Sequence, residues 1–440
     1  MGRLFGTDGV RGVAGSDLTA ELAFALGRAA AVALRRRDAP TFVVGRDTRA
    51  SGAWLEEALV GGIRAGGGGV IPAGVLPTPA VSFLTVDLGA AAGVVISASH
   101  NPPEYNGIKF FGPRGEKLPD ALEERIEALV EAPPPPEAPP GPIRPLGEEG
   151  GRYLDHLVAA AHARLDGMRI VVDCANGAAH RVAPEVLRRL GAEVEAIFDR
   201  PDGTNINVGC GALHPEVVAA AVVDRGAHAG VSLDGDADRA LFADREGRVI
   251  DGDQVLGACA LDLKARGELV GDTVVATVMA NLGLRRAMAE AGIRVVETAV
   301  GDRHVQEAMR ATGAVLGGEQ SGHVIFARYG ATGDGVLTAV RFLSLAAARG
   351  VPLAELARVV RRYPQLLENV PVRDPGALEG CGPVWEAVRL AQEALGSEGR
   401  VLVRASGTEP LVRVMVEAGS EEEAARRARA IADVVRRELA

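Results

Sequence analysis

The stretch Gly93-Val-Val-Ile-Ser-Ala-Ser-His-Asn-Pro102, followed by Tyr105-Asn-Gly-Ile-Lys109, brings a hydroxyl, an imidazole and a cation into one short segment. The apolar run 94–96 reads as a buried strand, and the small polar residues and prolines after it read as a loop. Ser99 and His100 then lie at a strand's C-terminal end, where α/β sheets carry their chemistry. Asn106-Gly107 predicts a tight turn that folds Lys109 back towards Ser99. A hydroxyl beside a cation suits phosphoryl chemistry, in which negative charge must be held close. A plain turn whose serines cap backbone groups is the other reading of these residues.

The second motif is Val231-Ser-Leu-Asp-Gly-Asp-Ala-Asp-Arg239, with aspartates at 234, 236 and 238. In an extended segment those side chains project to one side. Three carboxylates on one side repel unless a cation sits among them, and hard oxygen ligands select Mg²⁺ or Ca²⁺ over zinc. An EF-hand beginning at Asp234 would need glycine and glutamate where Arg239 and Arg245 stand, so that assignment fails. The alternative is a solvated acidic turn. Apolar strands predicted at 229–233 and 240–243 favour the metal site.

Two further loops could bind a sugar phosphate. Gly317-Gly-Glu-Gln-Ser-Gly-His323 presents Glu319 and Ser321 in a glycine-flanked loop, where a carboxylate can accept from two adjacent hydroxyls of a polyol. Arg404-Ala-Ser-Gly-Thr-Glu-Pro410, with Arg413 beyond, offers cations, hydroxyls and glycine-opened amides as an anion cradle. It lacks the P-loop pattern, so no nucleotide is implied. Near the N-terminus, Phe5-Gly-Thr-Asp-Gly-Val-Arg-Gly12 is a glycine-rich loop with one cation, Arg11. Each loop could also be a bare turn.

The elements that must position these loops follow a repeated order. Strand 41–44, loop 45–52, helix 53–65, glycines and a strand at Val70 form one copy. Strand 169–173, helix 178–190 and strand 193–198 form a second, and strand 273–277, helix 284–291 and strand 293–297 a third. Strand–loop–helix–Gly–strand units predict doubly wound α/β layers, and three spaced copies predict three similar α/β domains. The Pro-rich run at 133–142 reads as a stiff surface spacer. A helix at 353–362 ends at Tyr363-Pro364. Beyond it, helices at 383–395 and 421–439 flank strands at 400–404 and 412–417, a smaller α+β domain. The expected domains are 1–150, 151–250, 251–365 and 366–440.

Composition sets the outer bounds. The 440 residues are 47% hydrophobic, enough for several cores. A net charge of −10 without a basic block excludes general nucleic-acid binding. No stretch is apolar enough to span a bilayer and the N-terminus has no signal-peptide core, so a cytoplasmic location is expected. Cys174, Cys210, Cys259 and Cys381 show no metal-type spacing and are expected to be free thiols. Lys109, Lys117 and Lys264 are the only lysines, which makes Lys109 conspicuous.

Taken together, the four loops resemble the α-D-phosphohexomutases, over essentially the whole chain and in that family's order. The resemblance implies four domains around a central cleft, one loop per domain. It implies that Ser99 is a phosphoserine and shares Mg²⁺ with Asp234, Asp236 and Asp238. It implies catalytic roles for Arg11, His100, Lys109 and Arg239. Substrate contacts fall on Glu319, Ser321 and His323, and on Asp302 and Arg303 of Val300-Gly-Asp-Arg-His304. Phosphate binding falls on Arg404, Ser406, Gly407, Thr408 and Arg413. The wording of these loops is that of the family's glucosamine phosphate branch, except that His304 stands where tyrosine is common. The implied substrate is a small-molecule sugar phosphate, and the implied intermediate or activator is glucosamine 1,6-bisphosphate. The product would lead towards UDP-N-acetylglucosamine and the cell wall. A homodimer is the expected self-association, with no nucleic-acid or membrane partner.

Overall fold

The structure, a computed structural model, describes residues 4–6, 8–35, 38–132, 139–406 and 409–440. It divides into two compact units. The first comprises Met1–Met279 with Arg294–Arg358, and the second Ala280–Ile293 with Val359–Ala440. Residues 133–138 of the Pro-rich run lie outside the described residues. Its end does not: Val70 donates to the carbonyl of Pro142 and Gly141 to that of Arg64, which lays the segment along a sheet edge.

Among the described residues the first unit holds three sheets. The first is built from β1 (Val10–Val13), β2 (Thr41–Arg46), β3 (Gly69–Val75), β4 (Ala92–Ile96) and β5 (Tyr105–Phe111), in the order β1-β5-β4-β2-β3. The second contains β6 (Arg169–Asp173), β7 (Glu193–Ile197), β8 (Ala229–Leu233), β9 (Ala240–Asp244) and β10 (Val249–Ile250), in the order β10-β9-β8-β6-β7. The third contains β11 (Thr273–Thr277), β12 (Arg294–Thr298), β13 (Leu316–Gly318) and β14 (Val324–Phe326), in the order β12-β11-β13-β14.

One topology repeats in all three. A central strand pairs in parallel with the next strand on one side and with the third strand on the other. The third strand then turns back into an antiparallel partner. A helix makes the crossover to the third strand each time: Thr78–Asp87, Pro215–Arg225 and Asp302–Thr312. The sheets are therefore α/β with a parallel heart and an antiparallel flank.

Burial on both faces explains the unbroken apolar runs. Phe42, Val44, Val94, Ile96, Ile108 and Phe110 enter one core with Leu26, Leu55 and Leu59 of the helices. Their neighbours Val43, Val95 and Phe111 enter another with Val81 and Leu84. A strand covered on both sides cannot alternate apolar and polar residues. The four cysteines are free, and among the described residues no helix is long and apolar enough to cross a membrane.

The second unit has one antiparallel sheet, β15 (Gln365–Pro371), β16 (Arg400–Ala405) and β17 (Leu411–Glu417), in the order β15-β17-β16. Val412, Val414 and Val416 alternate into a core with Ala428, Ile431 and Val435 of the helix Glu421–Leu439. The helix Leu282–Glu290, expected in the third α/β domain, belongs to this unit. Its first amide donates to Glu417 Oε2 at 3.1 Å, Asn281 Nδ2 donates to the Tyr363 carbonyl, and Arg400 donates to the Ala280 carbonyl. The helix expected at 353–362 ends at Ala357.

Glu417 is fully buried, and Arg400 is its ion-pair partner at 2.9 Å. Removing one partner of a buried pair strands the other charge, at a cost of roughly 3–5 kcal/mol. Arg400→Met should therefore destabilise the second unit by about that much in urea unfolding followed by Trp385 fluorescence. A loss below ~1 kcal/mol would show that the pair does not hold the unit together.

Candidate active site in the first unit

The three hairpins that close the repeated topology carry the expected chemistry. Residues 97–104 join β4 to β5, residues 234–239 join β8 to β9, and residues 319–323 join β13 to β14. Side chains join these loops directly. Ser99 Oγ donates to Asp234 Oδ2 at 2.7 Å, and His323 Nδ1 lies 3.4 Å from Asp238 Oδ2. Gly235 lets the first two loops approach, since a Cβ there would sit 2.7 Å from the Ser99 carbonyl oxygen.

Ser99 is buried and has a positive φ of 50°, a conformation that costs a non-glycine residue on the order of 1 kcal/mol. A clamp that sequence reading missed holds it there. The buried Arg49 guanidinium donates to the carbonyls of Ser99 at 3.0 Å, Asn101 at 2.8 Å and Pro102. Asp47 accepts from Arg49 Nε at 2.9 Å and from Ser97 Oγ at 2.6 Å, and Ser97 Oγ accepts the Ser99 amide. Asn207 Nδ2 adds a donor to the Ser99 carbonyl at 2.9 Å. Ser97 therefore faces inward onto Asp47, whereas the Ser99 hydroxyl faces the aspartates. The signal in the sequence was the loop Gly45-Arg-Asp-Thr-Arg49 at the C-terminal end of β2.

The aspartate run is a tight turn rather than the expected extended segment. Ala237 has a φ of 59°, and its amide donates to the Asp234 carbonyl. The turn still gathers the three carboxylates, with one ligand atom from each within 4.8 Å of the others. Asp236 Oδ2 accepts from Thr78 Oγ1 at 2.6 Å, while Asp236 Oδ1 and Asp238 Oδ1 are buried without a hydrogen bond. Burial, and then the neighbouring aspartates, push Asp234 well above the usual carboxylate range. Burial and Asp238 push Asp236 up to about 6. Clustered hard oxygens, two of them orphaned, fit a divalent cation of the Mg²⁺ or Ca²⁺ kind.

Cations enter from other elements. Lys109 Nζ, on β5, pairs with Asp302 at 2.9 Å and Asp8 at 3.1 Å. Burial opposes its charge, and these two carboxylates outweigh burial and raise its pKa. Arg11 pairs with Asp8 at 2.6 Å. The Arg239 amide donates to Asp234 Oδ1 at 3.1 Å, and its guanidinium lies 3.7 Å from Asp238. His100 Nδ1 is 3.3 Å from Ser99 Oγ. Burial, followed by Arg239 and Arg11, lowers the His100 pKa to about 4, so its ring is neutral at pH 7.

The residues expected to touch substrate are placed differently from one another. Glu319 is buried and accepts from the Gly301 amide at 3.1 Å, and Ser321 Oγ is buried with no hydrogen-bond partner. Asp302 begins the helix Asp302–Thr312 and is committed to Lys109. Arg303 is tied to Asp120 and to Glu307. Both His323 nitrogens are taken: the Gly333 amide donates to Nε2 at 3.1 Å, which leaves the proton on Nδ1 facing Asp238. Only a glycine at 333 permits this packing, since a Cβ would fall 2.4 Å from the ring. His323, expected as a substrate contact, thus meets protein groups at both ring nitrogens.

In the second unit, Arg404 stands directly opposite Arg413 across β16 and β17. Facing like charges are unfavourable without an anion between or beside them. Burial, and then Arg413, lower the Arg404 pKa. Arg413 also pairs with Glu409 at 2.9 Å, and Ser406 is buried beside the strand end. Gly407 and Thr408 lie outside the described residues.

Four models of one family match the chain in sequence. Phosphoglucomutase/phosphomannomutase alpha/beta/alpha domains I, II and III match residues 2–135, 151–247 and 251–363, and the C-terminal domain matches 367–434. The chain belongs to this family, a family of phosphohexomutase enzymes. It is 54% identical over 427 residues to a phosphoglucosamine mutase of Desulforudis audaxviator, covering 96% of this chain and 95% of that one. A phosphoglucomutase/phosphomannomutase family protein of Burkholderia thailandensis has a similar structure, with TM-score 0.84 and 28% identity over 99% of this chain and 97% of that one. The N-acetylphosphoglucosamine mutase of Aspergillus fumigatus, solved with GlcNAc-6P and magnesium, shares the fold at TM-score 0.71 and 21% identity, over 99% and 95% of the two chains.

The raised Asp236 pKa gives a testable sign. Above about 6 the folded protein holds a buried charge that the unfolded chain keeps solvated, which costs stability; recovery begins as pH falls through that value and is complete only below the usual aspartate pKa of about 3.9. Stripped of metal, Asp236→Asn should melt above the wild type at pH 8, and the gap should narrow below about pH 6 and close near about pH 4. Saturating Mg²⁺ should reverse the order at pH 8. Melting curves that coincide at every pH, with and without Mg²⁺, would mean that the triad binds no metal.

Proposed function

We propose that the chain interconverts glucosamine 6-phosphate and glucosamine 1-phosphate through a phosphoserine at Ser99 and glucosamine 1,6-bisphosphate. The observation that carries the chemistry is the Ser99 hydroxyl, aimed at Asp234 within a buried cluster of three carboxylates. The amino sugar rests on the curated relatives at about this chain's length, which are phosphoglucosamine mutases.

In the forward step the bond from phosphorus to Ser99 Oγ breaks and a bond from phosphorus to the free sugar hydroxyl forms. The proton lost by the attacking hydroxyl is matched by one gained at Ser99 Oγ, the leaving oxygen; in the return step, when the Ser99 hydroxyl attacks, neutral His100 beside Oγ is placed to take its proton. Lys109, kept charged by Asp302 and Asp8, and Arg239 stabilise the charge on the transferring group. Asp234, Asp236 and Asp238 are the residues that would hold Mg²⁺, which when bound supplies charge neutralisation at the phosphoryl oxygens. Glu319 and Ser321 bind the sugar hydroxyls, the unpartnered Ser321 Oγ being free to do so. Arg404, Ser406 and Arg413 supply a phosphate cradle in the second unit, with Gly407 and Thr408 assigned by family resemblance. The bisphosphate then returns its other phosphate to Ser99, which restores the phosphoserine.

Ser99 should carry phosphate in part of the purified protein, and peptide mass spectrometry should place it there rather than on Ser97. Ser99→Ala should lower turnover by several orders of magnitude while leaving the melting temperature nearly unchanged. A Ser99→Ala protein that still interconverts the two phosphates would end this reading.

A coupled assay of glucosamine, glucose and mannose 6-phosphates side by side tests the substrate. The kcat/KM for glucosamine 6-phosphate should exceed the others by at least ~10-fold, because a site that hydrogen-bonds an amine is left unpaired by an analogue lacking it. Equal efficiency on a neutral sugar would move the assignment to the branch that the family's own description names.

A further inference from the structure

The first unit contains a second cavity, of about 650 Å³, which none of the active-site carboxylates or Ser99 lines. Its walls come from the helix Thr78–Asp87, the helix Arg152–Ala159, the helix Asp302–Thr312 and residues 325–334. That volume suits a small organic molecule. The lining is largely apolar and partly aromatic. Phe83 stacks on His156 with ring centroids 4.5 Å apart, Tyr153 lies 5.8 Å from Phe83, and Met309 and Ile325 line the wall.

One buried hydroxyl in this lining lacks a partner. Thr332 is 3% exposed and its Oγ1 has no hydrogen bond. Gln306, 6% exposed, adds an amide side chain to the same lining. A buried polar atom left unpaired costs free energy that a bound molecule or water would recover. The cavity's arginines are not equivalent. Arg114 pairs with Glu116 and Arg328 with Glu268, while the exposed Arg310 makes no ion pair among the described residues. The two acids in the lining are engaged, Asp87 by Arg152 and Asp334 by the Tyr153 hydroxyl.

We propose that this cavity is a regulatory ligand site for a small ring-bearing anion, its ring against Phe83 and His156 and its acidic group on Arg310. Thr332 and Gln306 supply the hydrogen bonds. Occupancy reaches the active centre through two of the walls. The helix that carries Gln306, Met309 and Arg310 begins with Asp302, the carboxylate that holds Lys109 at 2.9 Å. Thr332 adjoins Gly333, whose amide fixes His323 against Asp238. A ligand that shifts either wall moves a charge of the catalytic cluster.

The test uses the full chain with Mg²⁺ and 8-anilinonaphthalene-1-sulfonate as probe, a fused ring with one acidic group. Fluorescence titration should show one saturable site. Ala327→Trp, an exposed position at the cavity, should abolish it, and Arg310→Glu should weaken it at least tenfold. Uncharged N-phenyl-1-naphthylamine should bind more weakly than the sulfonate. Saturating sulfonate should change kcat at least twofold in the wild type and not in Ala327→Trp, whose basal turnover stays normal. Binding that does not saturate, that is equal in both variants, or that leaves turnover untouched overturns the proposal. The binding arms read the site even if the sugar assignment fails.

Discussion

Buried negative charge is the constraint on which the first unit is organised. Asp8, Asp234, Asp236, Asp238, Asp302 and Glu319 are linked through the charges they share, with Lys109, Arg11 and Arg239 as the cations among them. Carboxylates outnumber cations two to one. Such a set is unstable in a low-dielectric interior unless protons or further cations enter. The protein's own answer is partial. Lys109 is shared between two acids, Arg239 serves three aspartates electrostatically, and His323 is turned so that its N–H faces Asp238. What remains shows as raised pKa values at Asp234 and Asp236 and as orphaned oxygens at Asp236 and Asp238. That residue of charge is what a divalent ion would neutralise.

The sheet topology explains how so many charges from distant segments come together. In each copy the third parallel strand reverses into an antiparallel partner, and the hairpin loop projects from the end of the sheet where chemistry is usually carried. β4, β8 and β13 are buried throughout, so each loop leaves a rigid base. The loops then need only short side chains to touch, as Ser99 and Asp234 do. Glycine at 235 is the local condition for that approach, and Arg49 is the global one, since it fixes three carbonyls of the serine loop at once.

Much of this was legible in the sequence because chemistry left dense local signals. Ser99, the aspartate run and Glu319 are each framed by small residues after an apolar strand. The α/β character and the helix 421–439 followed from periodicity alone. What was missed depends on partners far away in the chain. Arg49, Asp47 and Asn207 look like ordinary loop residues, and their role exists only once residues 97–102 lie over them. The extended reading of 234–238 failed because the αL turn at Ala237 has no glycine to announce it. β15 was not expected, since Gln365–Pro371 mixes Gln, Glu, Asn and Pro and all but Val370 are exposed or half-exposed. The capture of Leu282–Glu290 by the second unit turns on Glu417 and Arg400, more than a hundred residues away.

The Ser99–Asp234 hydrogen bond joins the serine loop to the carboxylate cluster. It is a contact of the serine with a free hydroxyl, in which a neutral donor shields a crowded carboxylate. A phosphate on that oxygen removes the donor and brings nearly two negative charges to the same place. In the proposed mechanism the phosphorylated and free forms would therefore impose opposite demands on one loop. Lys109 and Arg239 cannot meet the difference alone, because Asp302, Asp8 and the aspartates already draw on them. A divalent cation held by Asp234, Asp236 and Asp238 would meet it, and Arg49 clamps the serine loop's backbone from behind. The proposed reaction, in which a dianion arrives and leaves repeatedly, would be served by this arrangement: a clamped loop, a deficit of positive charge, and three carboxylates able to hold a divalent ion.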